Sequence, residues 1–427
     1  MPGLIPSVRG MNDILPERAA QWTFVERAAC ELLDAYGYRR IRTPALERTE
    51  LFKRSIGEAT DIVEKEMYTF EDRNGDSLSL RPEATAGILR AGLSHGLFHN
   101  QQQKLWLSGP MFRHEKPQQA RYRQFHQLSV EAVGFADPEI DAELIALSAR
   151  LWRKLGLTSP VLQLNSLGTP ESRGRYREAL LAYFSDHRGS LDADSRRRLE
   201  TNPLRVLDSK NPELKALIEA APLMSDYLDS ESRNHFARLT ELLSDVEIDF
   251  VLNPRLVRGL DYYTKTVFEW VTDRLGAQGA ICSGGRYDGL VLQLGGRDTP
   301  ASGWALGFER VIELLDAEAL SIPEPVPDGY LVALGEPARR RAFSIAETLR
   351  ERVPGMALTM DGGGGGFKAQ LRRADRSGAR LALILGEDEL ERESISVKPL
   401  RNDAPQAMLT LDELVAELLR ARTSGLE

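Results

Sequence analysis

Cysteine is scarce in this sequence. Only Cys30 and Cys282 occur among its 427 residues, and they lie far apart. Two such residues cannot form a disulfide framework, and cysteine alone cannot build a zinc site. We therefore predict a reducing cytoplasm as the compartment of the protein and no metal ion bound by the protein itself.

Long apolar runs and an excess of positive charge are also missing. No segment reaches membrane-spanning length, and residues 1–16 contain prolines, Arg9 and Asp13 where a signal peptide needs an unbroken apolar stretch. We therefore expect a soluble protein without a membrane partner. The formal net charge of -8 gives no overall attraction to nucleic acid, so any RNA binding must come from local clusters of Arg and Lys.

The length of the chain predicts several domains, because a single hydrophobic core stops growing at roughly 250 to 300 residues. Residues 170–245 are rich in Arg, Glu, Leu and Ala with helical spacing, which predicts a helical insertion. It separates two stretches of mixed helix and strand, residues 1–169 and 246–322. Prolines at 323, 325 and 327 then indicate an extended linker, and residues 323–427 alternate strand and helix as in a small α/β domain.

Apolar periodicity and turn residues predict the individual elements. Asn74-Gly75 between apolar runs predicts a hairpin, and Pro82 is expected to open a helix. Residues 104–114 and 122–134 predict a long antiparallel hairpin. The other expected elements are a helix over 19–36, strands over 248–253, 266–272 and 278–283, a tight turn or close backbone approach at Gly284-Gly285, strands over 330–334, 357–360 and 381–385, and a helix over 411–421.

The second strand of the long hairpin carries a row of polar and aromatic side chains. Its period of two residues places one set on a single face, with a mostly apolar set behind it. That face could simply be solvated. Arg113, Lys116 and Arg121 border it, however, and cations beside an acidic pocket are suited to binding phosphate. The side chains on the polar face are Arg123, Phe125, Gln127, Ser129 and Glu131.

Several blocks of this sequence resemble histidyl-tRNA synthetases, a family of class II aminoacyl-tRNA synthetases. Residues 109–127 resemble motif 2, residues 37–54 motif 1 and residues 305–310 motif 3. Two further blocks resemble that family specifically: Leu-Val-Arg-Gly-Leu-Asp-Tyr-Tyr-Thr at 256–264 and Ser-Gly-Gly-Arg-Tyr-Asp-Gly-Leu at 283–290. The resemblance covers nearly the whole chain. It implies an α+β fold, in which an antiparallel-sheet catalytic domain carries a helical insertion and is followed by a small C-terminal α/β anticodon-binding domain.

The resemblance implies an enzyme that activates histidine with ATP and Mg²⁺ and then ligates it to tRNA(His). Arg113 would hold the ATP α-phosphate, where a bidentate guanidinium suits the growing negative charge. Phe125 would stack on adenine, and Arg121 would bind the β- and γ-phosphates. Arg310 would cover the opposite face of adenine or reach the outer phosphates. Without the family, Arg310 could equally form an ion pair with Glu309.

Recognition of histidine is assigned by the same resemblance. Glu131 and Tyr263 would bond the two ring nitrogens, and a site that satisfies both rejects amino acids that lack them. Glu83 and Thr85 would bind the α-ammonium group, with Gln127 near the carboxylate or the amino group. Considered without the family, Glu83 and Thr85 would instead stabilise the N-terminus of a helix.

Arg258 lies in one of the two family-specific blocks and is expected, with Arg113, to be catalytic. It would approach the α-phosphate and the substrate carboxylate and so lower the charge barrier to adenylate formation. The rival interpretation is a non-catalytic regulatory subunit of histidine biosynthesis. Such paralogues usually lack the C-terminal domain and degrade the block that contains Arg258 and Tyr263, whereas both are intact here. Another class II ligase is disfavoured by Glu131 together with Tyr263.

Contacts with tRNA are expected from two places in the chain. The motif 2 loop is polar and basic enough to meet the acceptor end, through Lys116, Gln118, Gln119 and Arg121. In the C-terminal domain Lys368, Arg372 and Arg376 recur on one helix face, with Arg373 adjacent. A solvated helix face is the alternative, but the family places its anticodon-binding domain here. The resemblance also implies a homodimer.

The sequence departs from the family pattern at a few positions. Lys116 and Ala120 stand where Arg and Gly are more usual, and Gly362–Gly366 form a run of five glycines. No residue assigned to catalysis is removed. We expect Ala120 to affect how its loop moves and the glycine run to make its own loop mobile.

Overall fold

The computed structural model describes residues 3–57, 60–117, 120–207, 209, 211–276, 279–322 and 326–424. The chain divides into two compact units, residues 1–322 and 323–427. Gln118 and Gln119 of the motif 2 loop, and Pro323 and Pro325 of the expected linker, lie outside the described residues.

The first unit mixes helices and strands. Its helices are α1 (Pro16–Ala35), α2 (Thr49–Ile56), α3 (Thr85–Ser94), α4 (Pro138–Leu155), α5 (Pro170–Asp186), α6 (Ala193–Thr201), α7 (Lys215–Glu219), α8 (Ser230–Asp245), α9 (Leu290–Gln293) and α10 (Phe308–Ala317). Its strands are β1 (Arg39–Arg40), β2 (Leu46–Arg48), β3 (Thr69–Glu71), β4 (Ser77–Leu80), β5 (Gln103–Phe112), β6 (Gln124–Val133), β7 (Val161–Ser166), β8 (Phe250–Leu252), β9 (Thr264–Val271), β10 (Ala280–Arg286) and β11 (Ala301–Gly307).

An eight-stranded sheet organises this unit, in the order β1-β5-β6-β11-β10-β9-β7-β8. Only the outermost pairs, β1 with β5 and β7 with β8, are parallel. Leu128 and Val130 of β6 and Trp304 of β11 point to one face, where they share a buried core with residues of α1, α4, α8 and α10. The mainly antiparallel sheet confirms the predicted α+β class. The other face of the sheet is partly covered by α3 and α9, through Ile88, Leu89 and Val291.

Both predicted hairpins are present. Asp72 accepts hydrogen bonds from the backbone of Asn74 and Asp76, which closes the turn between β3 and β4. Strands β5 and β6 pair antiparallel over ten residue pairs, from Gln103 with Val133 to Phe112 with Gln124. The long hairpin therefore holds β6 in one register along its whole length.

One local prediction was wrong, and one of two alternatives is excluded at a second place. Pro82 does not open a helix, because α3 begins three residues later at Thr85. Gly284 and Gly285 do not form a tight turn but continue strand β10. A Cβ at Gly284 would collide with the carbonyl of Gly303, so the absence of a side chain lets β10 and β11 pack closely.

Residues 170–245 contain helices α5 to α8 and short 3-10 segments, with no strand among those described. Residues 176–228 contribute a core of their own around Tyr176, Leu180 and Phe184, whereas Leu239 and Leu243 of α8 belong to the core of the large sheet. The last helix, α8, is joined to the sheet by a buried polar cluster. Asp141 of α4 lies 2.8 Å from the His235 ring of α8 and 2.8 Å from the Arg286 guanidinium at the end of β10. This cluster fixes the residue that precedes Tyr287 in the site.

The second unit is a five-stranded sheet with helices. Its strands are β12 (Gly329–Ala333), β13 (Leu358–Met360), β14 (Leu381–Leu385), β15 (Ile395–Pro399) and β16 (Ala407–Leu409), and its helices are α11 (Glu336–Arg352), α12 (Phe367–Arg376), α13 (Glu387–Glu391) and α14 (Leu411–Ser424). The sheet order is β13-β12-β14-β15-β16. The three predicted strands β12, β13 and β14 are parallel, as expected of an α/β domain, whereas β15 and β16 were missed and pair antiparallel. Among the described residues, no helix is both long and apolar enough to cross a membrane.

Candidate active site

A cavity of about 210 Å³ lies on the face of the large sheet opposite the core that α1, α4, α8 and α10 form with it. Its walls come from the β5–β6 hairpin, the start of α3, the loop after β8, and strands β10 and β11. All of the residues predicted to bind substrates or to catalyse line this one cavity: Glu83, Thr85, Arg113, Arg121, Phe125, Gln127, Glu131, Arg258, Tyr263 and Arg310. Residues distant in sequence are therefore brought together around a single space.

Three arginines gather at one end of the cavity. The Arg113 Nε donates to the Pro82 carbonyl at 2.9 Å, and its guanidinium lies 5.3 Å from the centre of the Phe125 ring. Burial lowers the pKa of Arg310, and the charges of Arg121 and Arg113 lower it further. Neighbouring cations without enough carboxylates to neutralise them favour an anion, and a polyphosphate supplies several negative oxygens.

The alternative ion pair between Arg310 and Glu309 is not what the structure shows. Glu309 accepts hydrogen bonds from the backbone N–H of His126 at 3.0 Å and lies 3.0 Å from the His126 ring. Arg310 instead donates to the carbonyl of Ala280. Its guanidinium therefore borders the cavity beside Arg113 and Arg121, which favours the expected contact with phosphate.

Glu131 lies at the other end, fully buried. Its carboxyl group accepts a hydrogen bond from Thr85 Oγ1 at 2.6 Å and another from the Tyr287 hydroxyl. Burial raises the pKa of Glu131 to about 8, although both hydrogen bonds oppose the rise. Tyr263 lines the same end. A buried carboxyl group and a phenol thus face a compact space, which matches the two nitrogens of an imidazole ring.

Tyr287 was missed as a site residue. It follows the two glycines of the block at 283–290, a block that was interpreted only through those glycines. Its position could have indicated its role, because this tyrosine comes directly after β10, a strand that contributes to the cavity wall. Its phenol is buried and is bound to Glu131, so it helps to orient the carboxyl group.

Glu83 plays the structural part that its position suggested. Its carboxylate accepts the backbone N–H groups of Thr85 at 2.7 Å and Ala86 at 3.0 Å, at the start of α3. Burial raises the pKa of Glu83, and these hydrogen bonds act against the rise. Glu83 therefore stabilises the N-terminus of α3, as the alternative interpretation predicted. The same side chain also lines the cavity.

Two buried polar atoms along β6 have no hydrogen-bond partner among the residues that the structure describes. They are the Gln127 side-chain oxygen and the Ser129 hydroxyl oxygen. Both residues line the cavity on the same face as Glu131. Because buried polar groups are nearly always hydrogen-bonded in native proteins, these atoms indicate a place for polar groups of a ligand.

Arg258 is held by a residue that sequence reasoning did not single out. Its guanidinium bonds to the carboxylate of Glu269 on β9 and lies 5.3 Å from the centre of the Tyr263 ring. Burial is the largest single influence and lowers the pKa of Arg258, but Glu269 together with Tyr263 and Tyr262 raises it, so the pKa lies above its usual value. The Ser283 hydroxyl, 3.3 Å away, also donates to Glu269. Arg258 is thus a fixed cation in the cavity wall.

Gly303 on β11 lies directly opposite Glu131 on β6. A Cβ there would collide with the carboxyl group of Glu131 and the carbonyl of Val130. We expect Gly303→Ala to raise the KM for histidine by about tenfold or more, with the KM for ATP changed less than about threefold. Kinetics of histidine-dependent pyrophosphate exchange measure both constants. Gly289→Ala is the matched control, since no atom lies within 4 Å of an added Cβ there; equal effects of the two variants would contradict the packing argument.

Three residues of the motif 2 loop, Glu115, Ala120 and Arg121, line the cavity. Ala120 adopts a positive φ of 55°, a left-handed conformation that costs a residue with a Cβ about 1 to 2 kcal/mol. This explains why glycine would suit that position. Lys116 is exposed, and Arg121 bonds to the buried carboxylate of Glu115, a second cavity residue that was missed.

The predicted cationic residues of the C-terminal unit lie on helix α12. Lys368, Arg372 and Arg376 are exposed and border a shallow groove. Arg373 points elsewhere, because it bonds to Asp361 at 2.8 and 2.9 Å. Asp361 also accepts the backbone N–H groups of Gly363 and Gly364, so hydrogen bonds hold part of the five-glycine run.

Comparisons with known proteins agree with the geometry. A histidyl-tRNA synthetase family model matches residues 10–311, and an anticodon-binding domain model matches residues 329–421. Histidine–tRNA ligase of Halorhodospira halophila is 56% identical over 414 residues, 97% of both chains, and that of Hydrogenovibrio crunogenus is 55% identical over 421 residues, 99% of both. Apo histidyl-tRNA synthetase of S. aureus superposes with a TM-score of 0.82 at 35% identity, covering 97% of this chain and 100% of that one. The chain therefore belongs to the histidyl-tRNA synthetase family of class II aminoacyl-tRNA synthetases.

Proposed function

We propose that this chain activates histidine with ATP in the cavity described above and then transfers it to the 3′ end of tRNA(His). As a member of its family the chain is a class II ligase for histidine and tRNA. The main support for the roles of individual residues is the chemical difference between the two ends of the cavity. One end has a buried carboxyl group and a phenol, and the other has three arginines. The two ends fit the imidazole of histidine and the phosphates of ATP.

Histidine would bind with its ring between Glu131 and Tyr263. Glu131 is held by Thr85 and Tyr287, so the carboxyl group is oriented before the substrate arrives. Gln127 would accept a hydrogen bond from the α-ammonium group, because its buried side-chain oxygen has no partner within the described structure. Glu83, at the start of α3, would supply negative charge near the same group. Thr85 would hold Glu131 in place through its hydroxyl group. It would also lie at the edge of the site for the α-ammonium group.

ATP would bind with adenine against Phe125 and its phosphates among the arginines. Arg113 would hold the α-phosphate, and Arg121 the β- and γ-phosphates. Arg310 lies close enough to both for their charges to lower its pKa, which supports a phosphate contact for it as well. Mg²⁺ would enter with ATP as part of the substrate, and the buried Glu115 is the carboxylate nearest this group of cations.

The reaction needs positioning and charge neutralisation more than covalent catalysis. A carboxylate oxygen of histidine attacks the α-phosphorus, and the bond to the leaving pyrophosphate breaks. Arg113 and Arg258 would stabilise the charge that grows on the α-phosphate oxygens. A terminal ribose hydroxyl of tRNA then attacks the carbonyl carbon of the adenylate, and AMP leaves. No covalent intermediate with the enzyme is required.

We propose the following division of the chain. Residues 1–169 and 246–322 form the catalytic domain, residues 170–245 its helical insertion, and residues 323–427 the linker and anticodon-binding domain. The exposed Lys368, Arg372 and Arg376 would meet RNA phosphates on the last of these. Lys116 and Arg121 would meet the acceptor end.

A homodimer in the cytoplasm is the assembly we propose. The family implies two subunits. The small three-stranded sheet β2-β4-β3 exposes large apolar side chains, which would suit contact with a second subunit. Leu46 is 37% exposed and Phe70 is 47% exposed. Both cysteines are free, as a reducing compartment would leave them. Light scattering on the purified protein tests the subunit number.

The experiment that tests the function is pyrophosphate exchange into ATP with each of the twenty amino acids, without tRNA. Exchange with histidine alone is the expected result. The alternative, a non-catalytic regulatory subunit, predicts folded protein without exchange. The full-length ligases that are 55% and 56% identical favour catalysis.

A further inference from the structure

The hydroxyl group of Ser129 is in an unusual position for a buried serine. The residue is 1% exposed on the interior strand β6, and no described residue offers its oxygen a hydrogen bond. Its neighbours across the sheet are Leu107 on β5 and Ala305 on β11, which offer no polar side chain. Since the backbone groups of β6 are used by both neighbouring strands, a partner for this hydroxyl must come from the cavity that Ser129 lines.

The position of Ser129 along β6 identifies that partner. Residues two apart on a strand lie about 7 Å from each other, so Ser129 falls midway between Glu131 and Gln127 on the same face. The proposed function puts the histidine ring at Glu131 and the carboxylate toward the arginines at the other end. Between the ring and the carboxylate, histidine has one polar group, which is its α-ammonium.

We propose that Ser129 is a further histidine-binding residue, whose hydroxyl oxygen accepts a hydrogen bond from the α-ammonium group alongside Gln127. An ammonium has three N–H donors, so it can satisfy both unpartnered oxygens at once. Ser129 thereby discriminates ligands that carry an amine from those that carry only the ring and the carboxylate. The inference rests on the proposed function, because it uses the orientation of histidine in the cavity.

The test compares ligands that keep or lack the amine, by calorimetric titration of wild-type and Ser129→Ala protein. Histamine has the ring and the amine, whereas 3-(imidazol-4-yl)propionate has the ring and the carboxylate. We expect Ser129→Ala to weaken histidine and histamine about tenfold and to change the propionate by less than about twofold. Equal weakening of both analogues, or no change in either, would overturn the assignment.

Two further comparisons keep the result decisive. Ser129→Thr and Ser129→Val have the same shape and differ in the hydroxyl, so the Thr variant should bind histamine about tenfold more tightly than the Val variant even if both are less stable than wild type. Ser283→Ala removes a second cavity serine, whose hydroxyl already donates to Glu269. This variant should weaken the two analogues equally or not at all.

Wild-type protein that binds no histidine would refute the proposed function itself, whereas wild-type binding with an unchanged Ser129→Ala variant would refute only this inference.

Discussion

Arg258→Ala is expected to lower histidine-dependent pyrophosphate exchange by about 1,000-fold, with the protein still folded. The side chain is a largely enclosed cation that Glu269 and Tyr263 hold in the cavity wall, so its loss removes a positive charge from a fixed position in the site. The loss should appear in kcat rather than in either KM, because the cation is needed most where charge grows on the α-phosphate.

Removing Arg258 also leaves Glu269 without its cation, and that effect must be separated. The double variant Arg258→Ala with Glu269→Gln removes the leftover negative charge, and we expect it to remain as inactive as the single variant. Arg274→Ala is the matched control, since Arg274 is an exposed arginine on the turn after β9. Exchange that survives in the folded single variant would contradict a catalytic role, and recovery in the double variant would assign the loss to the unpaired carboxylate.

Glu131→Gln is expected to raise the KM for histidine by about 100-fold and the KM for ATP by less than about twofold. The amide keeps the shape of the carboxyl group, but it cannot take up negative charge opposite an imidazole proton. Pyrophosphate exchange at varied histidine and at varied ATP measures the two constants. Similar increases in both would count against recognition of the ring by Glu131.

The same substitution should change how stability depends on pH. The pKa of Glu131 is raised from 4.5 to about 8 by burial, so the folded protein keeps a proton that the unfolded chain has lost. The folded state therefore binds more protons between these two values, and its free energy of unfolding falls as the pH rises from about 4.5 to about 8. Urea denaturation of the protein without ligands should show this fall in wild type and a shallower dependence in Glu131→Gln.

Sequence alone predicted the parts of the site that follow local rules. The alternation along β6 separates Phe125, Gln127 and Glu131 from the core-facing Leu128 and Val130, and the structure confirms that arrangement. A period of two residues needs no knowledge of distant contacts, so it survives in any sheet. The resemblance to a family then brought Arg258 and Arg310 to the same cavity, which periodicity could not have done.

Long-range contacts account for what was missed. Tyr287 meets Glu131 across 156 residues of sequence, through the pairing of β10 with β11 and of β11 with β6. The glycines of β10 looked like a turn because turns are the commonest use of paired glycines, whereas here the packing of neighbouring strands excludes a Cβ. Helix α3 starts late because the Glu83 carboxylate takes up backbone N–H groups at its first turn.

Strand β6 also fixes the distance between the two ends of the site. Phe125 and Glu131 are six residues apart on it, a span of about 20 Å in an extended strand. Pairing with β5 along the whole span, and with β11 from Gln127 onward, prevents that span from stretching or slipping. If Phe125 and Glu131 bind as proposed, backbone geometry sets the separation between nucleotide and amino acid, and a new amino-acid preference at the Glu131 end would leave the alignment of the reacting atoms unchanged. A one-residue insertion in β6 would disrupt this alignment. Beyond the insertion, side chains that now face the cavity would face the core instead.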